Sequence, residues 1–287
     1  LINPGDEVII PAPYWVSYIE IVKVSGGIPV IVNAGIEKDF KISGDDLSKA
    51  ISPRTKLMIF STPCNPTGSV YSKEELRNLA DVLQANPSVV ALCDEIYEHI
   101  NFEGKHESLA QFDDIYNQVV TVNGVSKAWA MTGWRLGYIG APKEIADACS
   151  KVQGQFTSGT CSISQKAAIA AMQAEPDVLN DMISAFRRRR TLVLDFLNEM
   201  PGIKTNNPGG AFYVFPDCSY YFGKSDGNTT IRNSSDLCIY LLDKALVALV
   251  TGDAFGDPNC FRISYAASEE TLMEAMRRIK TALSKLN

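Results

Sequence analysis

Short apolar runs recur through the first half of this chain: Val8 to Pro11, Ile28 to Val32, Lys56 to Ser61, Val89 to Cys93 and Val119 to Val122. Runs of this length read as buried strands, and strands that alternate with amphipathic helices build an α/β domain around a mostly parallel sheet. The helix signal is clearest after Ser72, where Glu75 completes a capping box and Leu76, Leu79, Ala80 and Leu83 share one face. This pattern also limits where function can sit. Ligands of open α/β sheets bind beyond the carboxyl ends of the strands. Here those ends carry polar groups: Asn65 after the third run, Asp94 after the fourth, and Ser126-Lys127 after the fifth, behind an expected turn at Asn123-Gly124.

The second half changes character. A long helix is expected from about Asp177 to Met200, stopped by Pro201-Gly202. A strand at Gly210 to Phe215, a helix over Ser234 to Ala245, a strand at Phe261 to Ser264 and a closing helix aligning Leu272, Ala275, Met276, Ile279 and Leu283 follow. The expectation is a large domain over residues 1–195 and a smaller C-terminal α+β domain over 196–287. With 287 residues, 46% of them hydrophobic, the chain can bury cores of that size. The polar loop Gly223 to Asn233 is too short to link independent domains.

A net charge of −6 argues against a broad electrostatic attraction to nucleic acid or an anionic membrane. The basic run Arg187 to Arg190 points in different directions around a helix and reads as a solvated, partly ion-paired surface. No apolar stretch is long enough for a transmembrane helix. Cysteines 64, 93, 149, 161, 218, 238 and 260 lack metal-type spacing, and an odd number with several inside apolar strands suggests reduced thiols of a cytosolic protein. With His99 and His106 the only histidines, a multi-histidine metal site is excluded and no metal is expected; both histidines read as loop residues. Neither a G-x-G-x-x-G fingerprint after the first strand nor a Walker-type phosphate loop is present.

The segment Ser126 to Gly137 carries the strongest chemical signal. A lysine amine in apolar surroundings loses its proton readily and becomes a nucleophile toward carbonyls. Ser126 and Arg135 add a hydroxyl and a two-pronged guanidinium suited to a phosphate. Asn65, Asp94 and Tyr97 add an amide, a carboxylate and a phenol. These are the groups needed to hold and tune pyridoxal 5'-phosphate (PLP). Each also has an ordinary role: Asn65-Pro66-Thr67-Gly68 is a good turn, Asp94 a possible helix cap, and Arg135 a possible ion-pair partner.

In the order Pro4-Gly5-Asp6, Asn65-Pro66-Thr67-Gly68, Cys93-Asp94-Glu95-Ile96-Tyr97, Ser126-Lys127 to Arg135-Leu136-Gly137 and Phe261-Arg262-Ile263-Ser264, the chain resembles PLP-dependent aminotransferases of fold type I, in the class I, aspartate-aminotransferase-like group. The resemblance runs almost end to end and implies roles. Lys127 would form the Schiff base with PLP and then shuttle a proton. Asp94 would pair with the pyridine nitrogen. Tyr97 and Asn65 would share the cofactor's ring oxygen, with Asn65 also touching the substrate carboxylate. Ser126 and Arg135 would hold the phosphate, Trp15 would stack on the ring and touch substrate, and Arg262 would take the substrate α-carboxylate. Gly209 to Tyr213 resembles an active-site-facing strand start but receives no ligand role. In the family a further segment precedes Pro-Gly-Asp-Glu-Val and carries a phosphate-gripping loop. Here that motif begins at Pro4, so the chain reads as a fragment of a longer protein.

The resemblance implies amino-group transfer between an L-amino acid, with a lean toward aspartate, and a 2-oxo acid such as 2-oxoglutarate, in a cytoplasmic homodimer. Two other readings share the motifs: a PLP-dependent C–S lyase or other α-carbon lyase, and a PLP-binding regulatory domain.

Overall fold

The computed structural model describes residues 1–287 apart from Pro176. Six strands form one sheet: β1 (Glu7–Ala12), β2 (Ile28–Asn33), β3 (Thr55–Ser61), β4 (Val90–Asp94), β5 (Val119–Gly124) and β6 (Gly137–Gly140). Their order is β2-β1-β3-β4-β5-β6, parallel throughout except for β6, which runs antiparallel to β5. The chain steps outward from β1 to β2, then crosses back to β3. Strand order therefore reverses between β1 and β3, a switch point that opens a crevice at their carboxyl ends.

Alternating side chains explain why this sheet is covered on both faces. Ile9, Met58, Phe60, Ala91 and Cys93 point to one side and pack with Leu47 of α2 (Gly44–Ala50) and with Leu76, Leu79 and Leu83 of α3 (Lys73–Gln84). Val8, Ile10, Leu57 and Ile59 point to the other and pack with Tyr18 and Val22 of α1 (Ser17–Val24). A strand with apolar residues on both faces has no polar side to turn outward, which is why these runs are continuous rather than alternating. The sequence also contains α4 (Lys143–Phe156), α5 (Ser162–Gln173) and α6 (Asn180–Asn198). None of the α4 residues is buried, and all four residues of β6 are exposed.

A second sheet, in the order β7-β9-β8, combines β7 (Tyr213–Val214), β8 (Val250–Thr251) and β9 (Phe261–Ser264), all antiparallel. Its core joins Phe261 and Ile263 to Phe186, Val193 and Leu197 of α6, Leu237 and Leu241 of α7 (Ser234–Ala245), and Leu272, Met276, Ile279 and Leu283 of α8 (Glu269–Leu283). The four arginines of α6 diverge as expected: Arg188 pairs with Glu269, Arg190 donates to the Pro208 carbonyl, and Arg189 lies over the Phe186 ring. All seven cysteines are unpaired, and among the described residues no helix is long and apolar enough to cross a membrane.

Three expectations need correction. Asn123-Gly124 is not a turn. Both residues finish β5, pairing with Tyr138 and Gly137, and the chain turns only afterwards. Gly124 is needed there for space, because a Cβ would lie 2.9 Å from the Leu136 carbonyl oxygen. The strand expected over Gly210 to Phe215 shrinks to two residues. Ala211 adopts a left-handed conformation with φ 56, and Gly210 forms an isolated bridge to Asn101. The long helix has an irregular start, with one 3-10 turn ending at Leu179 before α6 begins.

The start of α3 forms as its sequence signature requires. Ser72 Oγ accepts from the Glu75 amide at 3.2 Å, and a Glu75 carboxylate oxygen accepts from the Ser72 amide at 2.7 Å. Ser72→Ala is expected to destabilise the full-length protein by about 1 kcal/mol, and Ser72→Gly by only a few tenths. Urea unfolding should show a lower midpoint at unchanged slope. Equal midpoints for Ala and parent would mean water satisfies these amides as well as the cap does.

Candidate active site

The carboxyl ends of β1, β3, β4 and β5 open into a cavity of about 620 Å³, lined among others by Trp15, Asn65, Asp94, Tyr97, Ser126, Lys127, Arg135 and Arg262. Every residue singled out from sequence therefore reaches one space. Each arrives by a short local route. Trp15 follows β1 at the entry to α1, Asn65 follows β3, Asp94 ends β4, and Ser126-Lys127 follow β5. Arg135 lies just before β6, and Arg262 reaches across from β9.

Lys127 is half-buried, and its ammonium lies 5.9 Å from the centre of the Tyr97 ring. Burial lowers its pKa below the ordinary lysine range; the Asp94 charge opposes that shift, while Arg135 and Arg262 add to it. Asp94 moves the other way. Burial raises its pKa, against the Tyr18 hydroxyl, the Ile96 amide and the Lys127 charge, which favour the carboxylate. Both shifts express the same cause, the cost of holding an isolated charge away from water.

Arg262 is more unusual. Its Nη1 donates to Asn65 Oδ1 at 2.8 Å, and its guanidinium lies over the rings of Tyr213 at 4.5 Å and Phe255 at 4.9 Å. Its Nε is buried without a hydrogen-bond partner. Among the described residues no carboxylate forms an ion pair with it, so a protein carboxylate does not occupy the place that an anionic ligand would take. Burial lowers its pKa, against the Tyr213 and Tyr97 hydroxyls.

Arg135 is exposed and in the left-handed region, φ 50, with Nη1 donating to the Thr132 carbonyl at 2.8 Å. Its remaining donors face no protein carboxylate among the described residues. Tyr97 is buried, and its hydroxyl shares a 2.9 Å hydrogen bond with that of Tyr213. Trp15 is 38% exposed and meets Tyr18 edge-on. The histidines sit elsewhere: His106 Nε2 lies 3.0 Å from the buried Glu95 carboxylate and His99 Nε2 lies 3.2 Å from that of Glu98.

Sequence reasoning missed Tyr18, Ser61 and Tyr213, which also line the cavity. Tyr213 lay inside Gly209 to Tyr213, the stretch read as facing the site but given no role. Tyr18 lies three residues beyond Trp15, near the start of α1, and nothing in the sequence alone marks it. Ser61 Oγ is buried without a hydrogen-bond partner at the end of β3.

The family model for aminotransferase class I and II matches residues 1–279. The chain belongs to that family. It is 49% identical over 286 residues to a bifunctional aspartate aminotransferase and glutamate/aspartate-prephenate aminotransferase of Petunia hybrida, covering 98% of this chain and 60% of that protein. It is 46% identical to an aspartate aminotransferase of Pinus pinaster, covering 98% of this chain and 58% of that protein. The chain thus spans about 60% of the length of these curated relatives. Among solved structures, the aspartate aminotransferase from Rhizobium meliloti superposes with a TM-score of 0.97 at 44% identity, over 100% of this chain and 72% of that one. The mostly parallel sheet with flanking helices is the architecture of this aminotransferase family.

In the unliganded protein, the Lys127 amine should titrate below the ordinary lysine range. Asp94→Asn should lower that midpoint further, because the carboxylate is what favours the ammonium. Lysine-selective NMR across alkaline pH measures both. A rise in the Asp94→Asn protein would show that Asp94 does not act on Lys127 as placed.

Proposed function

We propose that the full-length protein is a PLP-dependent aminotransferase, moving the amino group of an L-amino acid, aspartate first, to a 2-oxo acid, 2-oxoglutarate first. The observation that carries this reading is the pairing in one cavity of a lysine whose ammonium is disfavoured with a half-buried arginine whose Nε is buried and which, among the described residues, has no carboxylate partner. The names of the petunia and Rhizobium relatives support aspartate as the donor.

The residues fit PLP by their donor set. Ser126 and the free donors of Arg135 suit a phosphate, and the Asp94 carboxylate suits a protonated ring nitrogen. The Tyr97–Tyr213 hydroxyl pair has a second proton available for a ring oxygen, and the Asn65 amide NH2 remains free to join it. Trp15 offers a flat face. When bound, PLP supplies an electron-accepting ring. The protein's part is proton control and placement. Lys127 Nζ would anchor the cofactor and, once displaced by the substrate amine, would take up the proton from the substrate Cα and hold it for redelivery within the same site. Asp94 would favour a protonated ring nitrogen. Arg262 would hold the substrate α-carboxylate in a two-pronged grip and so turn the single Cα–H toward Lys127. The large and small parts, residues 1–195 and 196–287, belong to the same proposal, with α6 as the connection. So do a homodimeric assembly and a reducing, cytosolic setting, the latter supported by seven unpaired thiols.

Two outcomes test this directly. Full-length protein given aspartate and 2-oxoglutarate should yield oxaloacetate and glutamate, and borohydride reduction followed by peptide mapping should place a pyridoxyl group on Lys127. Pyruvate release from a β-substituted amino acid, without amino transfer, would replace the reading with a lyase; an adduct on another lysine would move the site.

Arg262→Ala should weaken amino-acid binding strongly, by about 2–5 kcal/mol, while leaving PLP affinity close to the parent's. Parallel titrations with PLP and with a non-reacting dicarboxylate distinguish the two. Loss of PLP with dicarboxylate affinity intact would reassign Arg262.

A further inference from the structure

Asp94 has two carboxylate oxygens and, among the described residues, one donor on each. Oδ1 accepts from the Ile96 amide at 3.2 Å, and Oδ2 accepts from the Tyr18 hydroxyl at 2.6 Å. We propose that Tyr18 is a positioning residue of this site, whose hydroxyl fixes the Asp94 carboxylate in one orientation while the edge of its ring fixes Trp15. The inference rests on the reading that Asp94 meets the cofactor's ring nitrogen and Trp15 its face.

A carboxylate held through one oxygen can still rotate, because its terminal torsion is broad. A second donor on the other oxygen removes that freedom, and a charge-assisted O–H···O⁻ contact of this length is among the stronger hydrogen bonds available. Tyr18 can serve as a fixed point because it is itself immobilised. It is 5% exposed and packs in the core beside Val8, Ile10, Leu57 and Ile59. Its ring meets Trp15 at 87° with centroids 5.5 Å apart, an edge-on contact of the favoured kind.

The chemistry of the pair agrees with this geometry. Burial, then the Asp94 charge, push the Tyr18 hydroxyl well above its ordinary pKa, so it stays a donor. Burial pushes Asp94 upward, and the Tyr18 hydroxyl is the largest effect opposing it, ahead of the Ile96 amide and Lys127; Glu95 acts in the same direction as burial. Without Tyr18, the carboxylate would be freer to turn and readier to take a proton. One tyrosine thus sets both the group at the ring nitrogen and the surface above the ring.

Tyr18→Phe removes only the hydroxyl and keeps the edge-on contact, so it isolates the Asp94 role. In the PLP-free full-length protein, carboxyl-selective NMR should show the Asp94 midpoint raised relative to the parent. In the PLP-loaded protein, kcat should fall about ten- to a hundredfold, the range expected for losing a hydrogen bond to a charged group, with KM for the amino acid little changed. In a double variant with Asp94→Asn, Tyr18→Phe should add little further loss. An unchanged Asp94 midpoint, or losses that simply add in the double variant, would overturn the proposal and leave Tyr18 as core packing. A parent protein that fails to bind PLP would instead sink the functional reading, while the Asp94 midpoint would still judge Tyr18.

Discussion

Ser61, Asp94 and Val122 stand side by side across β3, β4 and β5, paired residue to residue, and all three line the cavity. That register is the constraint on which the site depends. Side chains alternate along a strand, so a slip of one residue in β4 would turn Asp94 into the core and bring Cys93 to the cavity. The slip is opposed because it would drive the Asp94 charge into the apolar α3 side, where Ala91 and Cys93 pack, while Val90 and Leu92 of the same strand pack on the α1 side. The hydrophobic pattern that builds the sheet is therefore also what aims the acid.

Charge balance is the second constraint. The cavity gathers one acid, Asp94, against the cations Lys127, Arg135 and Arg262. Such an excess of positive charge is costly where water is partly excluded, and the lowered proton affinities of Lys127 and Arg262 register that cost. A ligand carrying a phosphate and a carboxylate would relieve it. Aromatic faces supply part of the compensation in the protein itself: Tyr213 and Phe255 flank Arg262, and Tyr97 lies near Lys127. The same arrangement explains how an arginine without a carboxylate partner can sit partly buried in a folded chain.

Much of this was legible in the sequence because burial writes itself plainly. The five parallel strands appear as apolar runs, and α3 and α7 are announced by Ser72 and by the boundary at Asn233-Ser234. The polar residues at the strand ends were legible for the same reason: a charged or amide group directly after a buried run has few places to go but the crevice. What stayed hidden depends on contacts distant in sequence. Asn123-Gly124 has the composition of a turn, yet pairing with β6 extends the strand through it. Gly210 to Phe215 has strand composition, but the close approach of Pro63 and Ile100 to Gly210 and the left-handed Ala211 break it. Tyr18 looks like core because most of it is core; only its hydroxyl, meeting a residue from another strand, makes it part of the site.

The exposed β6 carries a different consequence. It ends the six-stranded sheet, so its outer row of amide and carbonyl groups has no strand beside it among the described residues, and Tyr138 and Ile139 are both exposed. Nearby sequence adds exposed Val152 and Phe156 on α4 and Ile163, Ile169 and Met172 on α5. A free edge of this kind is a template for another strand, and apolar surface around it removes the usual penalty for bringing one close. An edge of this kind gives the chain a built-in liability to pair with further strands and aggregate.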